Sequence, residues 1–137
     1  VFEHGAVIRA IPATYAVELR VTGPVTPEEL AGLAMQADLA ITTGGGTMYE
    51  FCARGLTSMV GPVLDKMDAN AKVLEEKGAV LRTVRADRLS AQELTDACGE
   101  LLDGHPRNAL ARAAQAAVDG RGAERIVARL IEEWRLA

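Results

Sequence analysis

Residues 37–79 carry two strand–loop–helix patterns in succession: ADLAITTGGGTMYEFCARGLTSMVGPVLDKMDANAKVLEEKGA. The apolar run Leu39–Ile41 is short enough for one buried strand and leads into the glycine-rich residues 42–47. A helical pattern follows, with Met48, Phe51 and Cys52 on one face, and ends at Gly55. Open α/β sheets hold phosphates in such a unit, because glycines allow close approach and the helix start presents free N–H groups.

The second pattern repeats the arrangement without the glycines. The mostly apolar run Leu56–Val60 predicts a strand, and the proline-containing loop Gly61–Met67 follows it. We expect Asp68 to be the N-cap of a helix over Ala69–Lys77, which Gly78 closes as a C′ residue. Two successive βα loops with polar tips predict a crevice at the carboxyl ends of parallel strands.

The remaining segments complete an α/β pattern. Segment Phe2–Ile11 suits a helix tail or a strand and ends at Pro12. Strands are predicted at Ala16–Val21 and Ala79–Val84, and a turn at Asp103–Pro106. Further helices are predicted at Thr26–Gln36 (with Thr26 as cap), Ser90–Leu102 (with Ser90 as cap), Arg107–Val118 and Ala123–Leu136. We therefore predict a Rossmann-like open parallel sheet of about four strands with about six helices on both faces.

Composition narrows the classes of function. The 137 residues suit a single domain, and the net charge of −4 argues against a nucleic-acid-binding surface, which needs a basic face. Cys52 and Cys98 lie in predicted helices and form no disulfide framework, so we expect a reducing, cytoplasmic location. No apolar run approaches the ~20 residues of a membrane span, and no signal peptide is visible.

The glycine loop and the residue after its first helical turn are the leading site candidates. Thr43, Gly44, Gly45, Gly46 and Thr47 can cradle a diphosphate, although the glycines can also serve only close packing of strand and helix. Glu50 can accept hydrogen bonds from a ribose diol, as acidic residues do in nucleotide-binding folds. It can also form a capping box with Thr47, and the two roles are compatible.

The loop after the second strand supplies the other candidates. Asp65, Met67 and Asn70 lie in a polar segment, and asparagine is a poor helix former at the first helical turn where we expect Asn70. We predict no metal site and no cofactor, because His4 and His105 are far apart and lack ligand-like partners. A nucleophile elbow, a Walker lysine and a paired-carboxylate pattern are all missing from the sequence. It predicts a binding crevice without a general base.

Three separated motifs, in the right order, resemble the carboxyl-terminal half of a GT-B-type nucleotide-sugar enzyme. They are ADLAITTGGGTMYEFCARGL, VLDKMDANAKVLEEKGA and DGRGAERIVARLIEEW, and the similarity spans about Val17 to Trp134. Two groups share these motifs: the UDP-sugar hydrolases of pseudaminic acid synthesis with their spore-coat polysaccharide relatives, and the lipid II-forming N-acetylglucosaminyltransferases (glycosyltransferase family 28, C-terminal domain). The stretch Asp119–Val127 leans toward the hydrolase group.

The resemblance implies roles for individual positions. Gly44, Gly45 and Thr47 fall on the loop that holds the diphosphate, and Glu50 falls on the residue that grips the ribose hydroxyls of UDP. Asn70, with the loop from Asp65, falls on the element that lines the sugar and phosphate side.

Two positions depart from the family pattern. Gly46 stands where relatives often carry Ser, which removes a hydroxyl from the phosphate loop. Met67 stands where relatives often carry a polar residue, which puts the sugar contact at this position in doubt.

The implied function is a UDP-sugar-binding half of a glycosyltransferase or nucleotide-sugar hydrolase acting at the anomeric carbon. Its catalytic residues are expected in an amino-terminal domain outside these residues, so the chain alone should bind UDP weakly without turnover. One alternative is a nucleoside-monophosphate phosphoribohydrolase, since Gly45-Gly46-Thr47-x-x-Glu50 partly resembles its motif, although Thr43 stands where those enzymes have proline. Another is a non-catalytic module that forms a homodimer through an exposed sheet edge.

Overall fold

A computed structural model describes residues 17–18, 20–102 and 104–135 of the chain. The predicted segment Phe2–Pro12 lies outside the described residues, as does His4. In chain order the elements are α1 (Pro27–Gln36), β1 (Ala40–Thr42), α2 (Gly46–Arg54), β2 (Ser58–Val60), α3 (Asp65–Glu76), β3 (Arg82–Thr83), α4 (Ala91–Leu102), α5 (Gly104–Ala117) and α6 (Gly122–Arg135).

The three strands form one parallel sheet in the order β1-β2-β3. Ile41 pairs with Met59 across the first ladder, and Met59 pairs with Arg82 across the second. The α/β class and the open parallel sheet are confirmed. The described residues hold three strands where the sequence predicted about four, because Val17, Glu18, Arg20 and Val21 of the predicted first strand are not in a strand.

Neighbouring residues of the central strand point into cores on opposite faces of the sheet. Val60 packs on one side with Met48 and Cys52 of α2 and with Leu74 of α3. Met59 packs on the other side with a second cluster that includes Leu94, Ala97 and Cys98 of α4. Both strand residues are almost completely buried. This alternation follows from the two-residue period of a strand and confirms helices on both faces.

The predicted helix ends that carry a capping box or a closing glycine are confirmed. At α1 the Glu29 amide donates to the Thr26 hydroxyl at 3.2 Å, and the Thr26 amide donates to the Glu29 carboxylate at 2.8 Å. Ser90 and Glu93 form the same reciprocal pair before α4. Gly78 has φ 65° after α3, a left-handed conformation that glycine adopts without a Cβ penalty.

Two other helix starts were predicted too late. Helix α3 begins at Asp65 rather than after Asp68, and its N-cap is Leu64 without a side-chain hydrogen bond. Two acidic side chains in its first turn favour the helix dipole, and Asp68 pairs with Lys72 one turn later at 2.7 Å. Helix α5 begins at Gly104, so the predicted turn is helical from there, and Pro106 lies in the first turn, where its missing N–H costs nothing.

The last helix buries none of its side chains against the described part of the chain. Helix α6 has apolar residues at helical spacing, yet all fourteen of its residues are exposed. Its polar side carries ion pairs from Arg129 to Glu132 and Glu133. None of the described helices is both long enough and apolar enough to cross a lipid bilayer.

Candidate functional site

The glycine loop lies beside the start of α3 at the carboxyl edge of the sheet. The Gly61 amide donates to the Thr42 carbonyl at 2.7 Å, which joins the ends of β1 and β2. A Cβ atom on Gly44 would lie 3.5 Å from both the Cβ and the carbonyl oxygen of Met67. The structure therefore brings the two predicted loops into contact where the sequence predicted a crevice.

Glycine is required at position 44 by the backbone conformation there and by the side chain that packs against it. Its φ of 83° lies in the left-handed region, and an added Cβ would lie 3.0 Å from Cγ1 of Val60. Gly45 and Gly46 have no positive φ, and apart from their chain neighbours and their own helix backbone no atom of the described residues lies within 4 Å of an added Cβ. Gly44 thus serves the turn and the close packing, whereas Gly45 and Gly46 leave open space in front of the helix.

Helix α2 begins without a side-chain cap. Its N-cap is Gly45, and the capping box predicted for Thr47 and Glu50 is wrong, because these residues lie inside the helix and make no cap hydrogen bond. The amides of Gly46 and Thr47 precede the first residue that can reach an intrahelical acceptor. Open N–H groups and the positive end of the helix dipole face the crevice, which suits an anion.

Glu50 lies on the same side of α2 as this open start. It is four residues after Gly46, and residues four apart on a helix are neighbours on one face, about 6 Å along the axis. The side chain is exposed. Among the described residues its carboxylate makes no hydrogen bond or ion pair, while its carbonyl accepts from Arg54 at 3.1 Å. The carboxylate is free to accept hydrogen bonds from a ligand.

The other predicted site residues differ in accessibility. Thr43 and Asn70 are exposed, and Thr47 and Met67 are half-buried. Asn70 lies in the second turn of α3 rather than the first, because that helix begins five residues before it. Asp65 occupies the first position of α3, and its fully exposed carboxylate accepts a hydrogen bond from Arg85 at 2.8 Å.

Arg85 was missed by the sequence analysis. It follows β3 at the same edge of the sheet, and it pairs with Asp87 at 3.3 Å as well as with Asp65. Hydrogen bonds to Asp87 and then Asp65 raise the pKa of its guanidinium. The available signal was its position directly after the third strand, where polar groups of open α/β sheets converge.

A cavity of about 480 Å³ lies along the flank of α2. Its lining includes Tyr49, Glu50 and Arg54 on α2 and residues of the turn between α5 and α6. In that turn the Asp119 carboxylate accepts hydrogen bonds from Arg125 at 2.6 Å and from the Arg121 amide at 3.0 Å. Glu50 belongs to both places, whereas the uncapped amides of α2 lie at the glycine loop and not in the lining of this cavity.

The two cysteines are structural. Both are buried, and the Cys52 thiol donates a long hydrogen bond of 3.8 Å to the Ala79 carbonyl. Burial raises the pKa of both thiols, which disfavours the reactive thiolate. Within the part of the chain described, no three His, Cys, Asp or Glu side chains gather as a metal-binding group.

Comparison with known proteins identifies a protein of similar sequence. The chain is similar to the spore coat polysaccharide biosynthesis protein SpsG of Bacillus subtilis (strain 168), with 30% identity over 101 residues. The match covers 73% of this chain and spans about 30% of the length of that relative. No family model matches the chain. By sequence, therefore, the chain is similar to part of a protein of spore coat polysaccharide biosynthesis.

Proposed function

We propose that this chain is the nucleotide-binding half of an enzyme that acts on a UDP-sugar. The diphosphate lies against the amides of Gly46 and Thr47, and the ribose diol is held by the Glu50 carboxylate. The observation that carries the proposal is the uncapped start of α2 at the carboxyl edge of the sheet. A polysaccharide biosynthesis relative supports it, because such pathways consume activated sugars.

The spacing of the two groups fits one ligand. In a nucleoside diphosphate the ribose is joined directly to the phosphates, so their binding groups must be neighbours. Gly46 and Glu50 meet this requirement on one helix face, about 6 Å apart along the axis. A phosphate at the helix start and a diol at Glu50 can therefore be bound together without rearrangement of α2.

The chemistry proposed for the whole protein is substitution at the anomeric carbon. Water attacks in a hydrolase and a sugar hydroxyl attacks in a glycosyltransferase; the bond from the anomeric carbon to the diphosphate oxygen breaks, and its electron pair leaves with the diphosphate. Amides and the helix dipole stabilise the growing charge on that leaving group. The base and the acceptor site are proposed to come from parts of the protein beyond these 137 residues, so the chain alone turns over no substrate.

Calorimetric titration of the chain with UDP tests this proposal. We expect saturable binding that weakens about tenfold or more in Glu50→Ala, equivalent to about 1.4 kcal/mol, because the ribose loses its acceptor. Glu76→Ala is the matched control, since Glu76 is an exposed glutamate on α3 outside the crevice, and it should bind as the parent does. Equal losses in both variants, or no loss in Glu50→Ala, would contradict the ribose assignment.

The nucleotide used in the titration separates the proposal from its alternative. A phosphoribohydrolase of nucleoside monophosphates should prefer AMP to UDP and should release the nucleobase from AMP. Tighter binding of AMP than of UDP would therefore favour that alternative. The homodimer through an exposed sheet edge remains a prediction of the sequence. Its test is whether a dimer persists when surfaces other than that edge are changed by mutation.

A further inference from the structure

Three charged side chains gather at the carboxyl edge of the sheet, beside the start of α3. The Arg85 guanidinium donates from Nη1 to the Asp65 carboxylate at 2.8 Å and from Nε to the Asp87 carboxylate at 3.3 Å. Asp65 is the first residue of α3, whereas Arg85 and Asp87 follow β3. These three side chains, the Arg85 cluster, join the loops after two neighbouring strands at the edge where open α/β sheets bind ligands.

The backbone fixes the position of Arg85 within this cluster. The Val84 amide donates to the Val60 carbonyl at 3.0 Å, and the Ala86 amide donates to the Pro62 carbonyl at 3.0 Å. One hydrogen bond on each side of Arg85 thus continues the parallel pairing past β3 and holds the two loops together. Because side chains alternate along a strand, Val84 packs against the core on one face and Arg85 projects from the other face, toward α3.

The chain's own stability does not account for a cation in this place. An acidic side chain in the first turn favours the dipole of α3, which explains Asp65, but a cation at a helix start opposes that dipole. The side chains of Asp65 and Asp87 are largely exposed, and ion pairs of such exposure contribute little to stability. The fixed guanidinium is therefore available for contact with a ligand.

The Arg85 cluster offers hydrogen-bond donors and acceptors side by side. A guanidinium carries five N–H donors, and Arg85 directs only two of them at acceptors within the described residues. Within the same part of the chain, the Asp65 carboxylate accepts only at Oδ1. A hydroxyl both donates and accepts, so one hydroxyl fits Oδ2 of Asp65 and its neighbour fits an N–H of Arg85. Two carboxylates already match the charge of Arg85, so a neutral group is favoured there over a further anion.

The distance from the start of α2 suits a sugar ring. The glycine loop contacts the first turn of α3, since a Cβ on Gly44 would lie 3.5 Å from the Cβ of Met67. Asp65 lies two residues before Met67, about 3 Å along the axis of α3. Neighbouring strands lie about 4.8 Å apart, so the loops after β1 and β3 are on the order of 10 Å from each other. A pyranose ring with its hydroxyls bridges a gap of this order.

We propose that Asp65 and Arg85 bind two neighbouring hydroxyl groups of the sugar carried by the UDP-sugar. This inference rests on the proposed function, because it takes the diphosphate to lie at the start of α2. Asp65 accepts from one hydroxyl and Arg85 donates to the next, while Asp87 holds the guanidinium in place. The substrate class is accordingly a neutral sugar with adjacent free hydroxyls, and a carboxylated sugar is disfavoured.

NMR titrations of the chain with UDP-glucose and with UDP test the proposal. The ratio of the two affinities reports the contribution of the sugar, because both ligands share the nucleotide. Arg85→Ala should lower this ratio about fivefold or more, since hydrogen bonds to charged groups are stronger than neutral ones, and should leave the affinity for UDP unchanged. Asp65→Asn should lower the ratio as well. The double variant should lose less than the two single losses combined, because the two side chains are in contact.

Arg82→Ala is the matched control. Arg82 is a similarly exposed arginine of β3 that also forms an ion pair, but its partner, Glu100, lies on α4. The control should leave the ratio unchanged, and both arginine variants should keep the circular dichroism spectrum of the parent. UDP-glucuronic acid, which adds a carboxylate to the same sugar, should bind the parent no more tightly than UDP-glucose.

The contrary outcomes separate this inference from the proposed function. Intact UDP binding with an unchanged ratio in Arg85→Ala would overturn the sugar contact alone. Equal falls of the ratio in Arg85→Ala and Arg82→Ala would do the same, as would tighter binding of UDP-glucuronic acid than of UDP-glucose. A folded parent chain that does not bind UDP would overturn the proposed function and the sugar contact with it.

Discussion

Replacement of Gly44 by alanine should destabilise the fold, because this glycine joins the two loops of the crevice. The left-handed backbone at φ 83° costs an alanine about 1–2 kcal/mol. The new Cβ would also lie 3.0 Å from Cγ1 of Val60, a fully buried side chain in the core, and overpacking of this kind costs about 1–3 kcal/mol. We therefore expect Gly44→Ala to lower the free energy of unfolding by about 2–5 kcal/mol.

Urea denaturation of Gly44→Ala beside Gly46→Ala measures this effect. Gly46 is the matched control, because its φ is not positive and an added Cβ meets no atom within 4 Å. Alanine is also a better helix residue than glycine, so Gly46→Ala should stay within about 0.5 kcal/mol of the parent or exceed it. A loss of unfolding free energy below about 0.5 kcal/mol in Gly44→Ala, or equal losses in the two variants, would refute a packing role for Gly44.

Two further predictions concern the α5–α6 turn and the buried thiols. The hydrogen bond from Arg125, followed by that from the Arg121 amide, lowers the pKa of Asp119 to about 2. Any stability that the ionised Asp119 carboxylate contributes is therefore complete above its ordinary pKa of 3.8 and is lost as the pH falls through about 2. An NMR titration should show that value in the parent and a higher one in Arg125→Ala; an unchanged value would exclude the pair as the cause. Cys52 and Cys98 should react with a thiol reagent at least tenfold more slowly in the folded chain than in urea, because both are buried, and equal rates would contradict that packing.

Local chemical signals made much of the fold predictable. The reciprocal pair of Thr26 and Glu29 and the glycine at position 78 fix helix ends through contacts within a few residues, so sequence alone identified them. The alternation at Met59 and Val60 likewise reflects a strand buried on both faces. In each case the cause of the structure lies inside the segment itself.

The remaining features depend on contacts that a sequence does not show. Helix α3 begins at Asp65 after Leu64, an N-cap without a hydrogen-bonding side chain, so the more familiar cap residue Asp68 misled the prediction. The function of Gly44 in packing depends on Val60 and Met67, which meet it only in the folded chain. The partner of Asp65, Arg85, is twenty residues away on the loop after β3.

The positions of the candidate site residues were easier to predict than the hydrogen bonds that their groups make or lack. The sequence placed the glycine loop and Glu50 on adjoining elements, and the structure shows the loop at the start of α2 and Glu50 one turn further along that helix. It did not show that the helix start lacks a side-chain cap, which depends on backbone geometry at Gly45. That open helix start is the feature on which the proposed nucleotide site rests.

The most direct test of that site is an NMR titration of the isotope-labelled chain with UDP, followed at the backbone amides. We expect saturable shifts concentrated at Gly45, Gly46 and Thr47, with much smaller shifts there for uridine, which lacks the diphosphate. Amides on the far side of the sheet, such as that of Leu94, should not move. Unmoved amides at residues 45–47 in a chain that binds UDP, or equal shifts with uridine, would contradict the central claim.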